Sequence, residues 1–159
     1  MKRTDADKIA LWVAITILSG LACTIIWGYW LILRPNPLLS AAEKCDVAKV
    51  KRLLDDGASA ETMDSWSGTP MMYAARHGCT SVVKLLLDRG VAVNTPQRMA
   101  RTPLLWAARH GHTETVKLLI ERGADLTSRD QEGKTAIELA REGAHAETIA
   151  VLRAAGEVE

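Results

Sequence analysis

Thr102-Pro103-Leu104-Leu105-Trp106-Ala107-Ala108-Arg109-His110-Gly111-His112, followed by Thr113-Glu114-Thr115-Val116-Lys117-Leu118-Leu119-Ile120-Glu121-Arg122-Gly123-Ala124-Asp125, decides the fold. Thr102 suits the cap of a helix and Pro103 its first position, where no backbone N–H is needed. Apolar spacing predicts a short helix over about 103–110, which Gly111 breaks. A second helix is predicted over about 113–121, with Val116, Leu119 and Ile120 on one face and Gly123 ending it in the left-handed position. The polar stretch from Asp125 to Lys134, with Gly133 inside it, reads as a turn or finger.

The same unit returns every 33 residues. Thr69-Pro70 precedes Thr102-Pro103 by that interval, Thr135-Ala136 follows it, and Asn36-Pro37 stands one further interval back. Gly57, Gly90, Gly123 and Gly156 fall in one register. A unit this small cannot bury its own apolar face and must stack on its neighbours. The stack divides into 36–68, 69–101, 102–134 and 135–159. Alanine pairs Ala41-Ala42, Ala74-Ala75 and Ala107-Ala108 allow close helix packing, and the rows Val50/Val83/Val116/Ile149 and Leu53/Leu86/Leu119/Leu152 predict one continuous core. End units carry polar residues at otherwise apolar positions: Lys49 and Arg52 replace Val82 and Leu85, while Glu138, Arg141 and Arg153 replace Leu105, Ala108 and Ile120. A stack complete at four units is the expectation.

Helix, tight turn, helix and finger at this period resembles the ankyrin repeat. The family pattern T-P-L-H-x-A-A is matched by Thr69-Pro70-Met71-Met72-Tyr73-Ala74-Ala75 and by Thr102 to Ala108, and its Gly-Ala-Asp by Gly123-Ala124-Asp125. Met72 and Leu105 replace the family histidine, so those units rely on packing. Gln97 and Ala100 stand where Asp and Gly are usual, and Pro96 disturbs the same finger. The resemblance implies an all-α solenoid of four repeats that binds proteins through its fingers and first helices and carries no chemistry. Transferred position by position, it selects Trp66, Arg76, His77, Arg98, Met99, Arg101, Arg109, His110 and Lys134 as protein-binding residues. Of these, Arg76, Arg98, Arg101 and Arg109 with Trp66 and Met99 are expected to form a basic, partly apolar concave patch for an acidic partner segment. Tyr73 and Trp106 sit at positions read as core.

Ahead of the repeats, Ile9 to Leu33 runs 25 residues without a charge. As a helix it would be about 37 Å long, enough to cross a hydrocarbon core of about 30 Å with some tilt. Trp12 lies near one end, Trp27, Tyr29 and Trp30 near the other, as a partial aromatic belt. The run is longer than a signal-peptide core and reads as an uncleaved single-pass anchor over 9–33, behind a short polar tail at 1–8. Thr16, Gly20, Thr24 and Gly28 recur every four residues, a face on which another membrane helix can pack closely. Lys2, Arg3 and Lys8 before the run outnumber Arg34 and Lys44 after it, which places the repeats outside the cytoplasm; counting Lys49, Lys51 and Arg52 reverses that balance.

Of 20 Lys/Arg and 19 Asp/Glu, four and two precede Asn36, so the repeats are near neutral and lack the basic footprint of a nucleic-acid binder. No glycine-rich phosphate loop, His-Glu-x-x-His helix or nucleophile elbow is present. No cofactor, metal or small-molecule substrate is expected, and the reading is non-enzymatic; a metal or redox enzyme using His and Cys is the reading from another class. Cys45 and Cys79 lie one position apart in register, and a repeat spacing of about 10 Å makes them free thiols in this reading. The expected function is a membrane-anchored interaction module, an accessory subunit or assembly factor with protein and lipid neighbours. The alternative is a free-standing adaptor for a soluble acidic partner.

Overall fold

A computed structural model describes residues 36–94 and 102–156. The anchor at 9–33, its small-residue face Thr16, Gly20, Thr24 and Gly28, and the finger residues Arg98, Met99 and Arg101 lie outside the described residues. Eight helices follow in order: α1 (Pro37–Glu43), α2 (Val47–Asp55), α3 (Pro70–Arg76), α4 (Thr80–Asp88), α5 (Pro103–Arg109), α6 (Thr113–Glu121), α7 (Ala136–Glu142) and α8 (Ala146–Gly156). The described residues contain no strand.

Each repeat begins with the same chemistry. The Asn36 side chain accepts from the Leu38 N–H at 2.9 Å, and Thr69 and Thr102 accept from Met72 and Leu105 at 3.3 and 3.4 Å, with proline at the first position of all three helices. In α7 the Glu138 carboxylate reaches back to the Thr135 N–H at 2.7 Å and its hydroxyl at 2.8 Å. Glu138 is exposed, as its charge suggested, and also caps its helix. These bonds satisfy N–H groups that a helix start leaves open.

First helices α1, α3, α5 and α7 stack in one layer, and second helices α2, α4, α6 and α8 in another. The alanine pairs Ala41-Ala42, Ala74-Ala75 and Ala107-Ala108 are fully buried between them, as are Val50, Val83, Val116, Leu86 and Leu119. Glu138, Arg141 and Arg153 of the last repeat are exposed where Leu105 and Ala108 are buried. On the second-helix side, Arg89 pairs with Asp55 at 2.6 Å and Arg122 with Asp88 at 2.9 Å, the same link at successive junctions.

The fingers are held by aspartates 66 positions apart. Asp64 Oδ1 accepts from Trp66 and Gly68 N–H groups, and Asp130 Oδ1 from Glu132 and Lys134. The Tyr73 hydroxyl donates to Asp64 Oδ2. Leu139 occupies the tyrosine position two repeats on, so the buried Asp130 Oδ2 finds no such donor.

The turns between paired helices hold the clearest departure from the sequence reading. Cys45, Gly78, Gly111 and Ala144, one per repeat, all take positive φ of 54 to 70°. Each of the first three abuts the residue 34 positions later. A Cβ on Gly78 would meet the His112 ring at 2.5 Å, and one on Gly111 the His145 ring at 2.4 Å. At the first junction the same pair of positions is Cys45 and Cys79, and these are joined in a disulfide with Cα atoms 5.0 Å apart. The free-thiol expectation is thereby corrected. It borrowed the distance between helix axes, whereas the left-handed turn carries its residue across to the next repeat.

Candidate functional face

The C-terminal ends of the first helices bring four equivalent residues into a column, Glu43, Arg76, Arg109 and Glu142, each followed by a cap residue, Lys44, His77, His110 and Gly143. The column is acidic at both ends and basic in the middle. Of its outer members, Glu142 receives Lys134 at 2.5 Å, and Glu43 lies 3.9 Å from His77 Nε2, a contact that becomes an ion pair only with a protonated ring. Neither Arg76 nor Arg109 forms an ion pair with a described carboxylate.

The Arg76 guanidinium lies 5.2 Å from the centroid of the Trp106 ring. Trp106 stacks on His110 at 5.9 Å with the planes 5° apart, and His110 stands 6.2 Å from His112. Two backbone bonds fix the frame: the His112 Nε2–H donates to the Arg76 carbonyl at 2.9 Å, and the His77 Nδ1–H to that of Tyr73 at 3.0 Å. A carbonyl only accepts, so each ring carries its proton on the bonded nitrogen. Burial, and then the positive charges of Arg76, His112, Arg109 and His77, hold the His110 imidazole below its ordinary value. It is therefore neutral near pH 7 and stacks as an aromatic plane. Arg109 Nη1 is buried and has no hydrogen-bond partner among the described residues.

Arg76, His77, Arg109 and His110 thus lie at equivalent helix ends in the two central repeats. Trp106, read from the sequence as half-buried core, is half-buried and packs against the core, and its ring also lies under the Arg76 guanidinium. Its signal was available in the spacing: three residues before Arg109 and four before His110, it shares their side of α5. Lys134 is held between Glu132 at 2.8 Å and Glu142, which raise its affinity for its proton, so its charge is already matched. Trp66 stands apart on a finger tip, 79% exposed and held out by the Asp64 turn.

The repeat geometry has a counterpart among known families. A family model described as ankyrin repeats (3 copies) matches residues 31–97 and 95–158. The chain belongs to the ankyrin-repeat family. Ankyrin repeats are protein–protein interaction modules. No curated protein matches the chain. Among the described residues no three of His, Cys, Asp or Glu converge as a metal site, and no helix is long and apolar enough to cross a membrane.

Proposed function

We propose that this ankyrin chain is a membrane-anchored protein-binding module, an accessory subunit or assembly factor of a membrane complex. Its Arg76–Trp106–His110–Arg109 ladder receives an acidic segment of the partner. The observation that carries the binding reading is the pair of central arginines, one lying on an aromatic ring and the other with a buried donor unused, between two carboxylates. Arginine and tryptophan are the residues that most often anchor interfaces. Glu43 and Glu142 repel an acidic chain beyond the ladder, which fixes where it sits.

The anchor rests on the uncharged 9–33 run, whose Thr16, Gly20, Thr24 and Gly28 face supplies a second contact within the membrane. Repeats outside the cytoplasm are supported by the excess of Lys2, Arg3 and Lys8. They are supported independently by the Cys45–Cys79 bond, since disulfides persist in oxidising compartments. Counted with the flank, Lys49, Lys51 and Arg52 favour the opposite orientation.

Charge reversal of Arg76 and Arg109 together, in the full-length chain, followed by crosslinking in native membranes and mass spectrometry, tests the ladder. The expected result is loss of the neighbour captured by the wild type; unchanged capture refutes it. Native sizing after detergent extraction tests the assembly role: co-migration with a large stable complex supports a subunit, and a small monomeric species indicates the adaptor alternative.

A further inference from the structure

The N-terminal end of the repeat stack differs from its internal junctions. In later repeats the position of Lys49 is held by Val82, Thr115 and Thr148, all buried. Those positions face the preceding repeat: Thr115 Oγ1 lies 2.8 Å from Thr80 Oγ1, and Thr148 Oγ1 2.9 Å from Thr113 Oγ1. Lys49 therefore stands on the outward face of the first repeat, with Arg52 one helical turn along the same side of α2. Pro37 is exposed on this face, whereas its counterparts Pro70, Pro103 and Ala136 are buried.

Four cations, Lys44, Lys49, Lys51 and Arg52, make no ion pair with a described carboxylate. Of the acids in the same repeat, Asp46 caps α2, Asp55 pairs with Arg89, Asp64 holds its finger and Glu43 lies beside His77, which leaves Asp56 and Glu61. The four cations outnumber Asp56 and Glu61, and the surplus positive charge selects an anionic surface. In the chain, only Arg34 and Pro35 separate the apolar run from Asn36, the cap of α1. We propose that the N-terminal face of the first repeat, centred on Lys49 and Arg52 with Lys44 and Lys51 beside it, rests on anionic phospholipid headgroups. The proposal builds on the membrane-anchor reading. Each cation near such a surface contributes about a fivefold gain in affinity.

The test uses the full-length chain reconstituted in vesicles of phosphatidylcholine alone, or with about a third phosphatidylglycerol to supply the anionic surface. A membrane-impermeant acylating reagent and mass spectrometry then report the reactivity of each lysine. Lys49 and Lys51 are expected to react about fivefold more slowly in the anionic vesicles, with Lys84 unchanged, and K49Q/R52Q to remove the protection of Lys51. Equal reactivity in both vesicle types overturns the proposal. Protection in native membranes but in neither vesicle assigns the face to a protein neighbour and overturns it equally. Anchoring is read separately, by flotation with neutral vesicles after an alkaline carbonate wash. If the chain is washed off, the anchor reading fails; the face then requires wild-type chain to float with added anionic vesicles and K49Q/R52Q to bind about 25-fold more weakly. Failure of the wild type to bind them sinks the lipid assignment.

Discussion

Removing the Cys45–Cys79 bond probes the fold at the one junction where a covalent link replaces the glycine–histidine pair. The cysteines are 34 residues apart, and closing a loop of that length restricts the unfolded chain by about 12.6 cal/mol/K, or about 3.8 kcal/mol at 25 °C. At ~2.1 cal/mol/K per residue, a stack of about 120 residues loses about 15 °C of melting temperature for that change. The loss concentrates in the first repeat, because stacked repeats share stability only with their neighbours. Far-UV circular dichroism melts of the full-length chain in detergent, with and without a phosphine reductant, measure it. Thiol titration in denaturant accompanies them, since the chain has three cysteines. One reactive thiol, Cys23, is expected before reduction and all three after it. Two further thiols before reduction, or superimposable melts, would refute the reasoning. A Cys45→Gly, Cys79→His chain rebuilds the pair found at the other junctions, where the histidine bonds to the carbonyl of Arg76 or Arg109. Relative to Cys45→Ser, Cys79→Ser, it should regain about 2–3 kcal/mol, from one hydrogen bond and a relieved left-handed residue.

Gly111→Ala meets both a positive φ of 70° and the His145 ring, whereas Gly123→Ala meets only the φ. Denaturant titration should show the first costing more than 2 kcal/mol and the second about 1–2 kcal/mol. The hydrogen bond to Asp64 holds the Tyr73 phenol up, at about 12. Its contribution to stability is therefore complete below pH 10 and is lost as the pH rises towards 12. Ultraviolet titration of the Y29F chain should find a single tyrosine near 12 and, with Asp64→Asn, one returned towards 10. Glu138 is held below its ordinary value, first by the Thr135 N–H and then by the Thr135 hydroxyl. Its cap is thus present above the unfolded value and is lost as the pH falls through the lowered folded one. Glu138→Ala should speed amide exchange in the first turn of α7 at pH 7 and lose that difference in acid.

The helices were legible because they depend on local signals at a fixed period. Thr102 with Pro103 starts α5, Gly111 turns the chain, and predicted ends at about 110 and 121 fall within a residue of the observed Arg109 and Glu121. The core rows were legible for the same reason, since a position buried in one repeat is buried in the next. What escaped was interaction between repeats at offsets other than one period. The cysteine bond joins residues 34 apart, and Trp106 meets Arg76 at 30. Those distances depend on how turns and helix ends lean across a junction. Glu138 was read as exposed and is exposed; its bond to Thr135 was not legible, because it required the rotamer.

A pull on the chain from its N-terminal side reaches Asn36 first and can unravel α1 as far as Cys45. There the disulfide hands tension directly to Cys79, leaving 46–78 out of the load path. About 115 Å of contour, from 34 residues at roughly 3.4 Å each, cannot be paid out under force. The first repeat can lose its packing and still remain a closed loop. The next segment to bear the strain is α4, immediately before the junction that carries the arginine–tryptophan ladder.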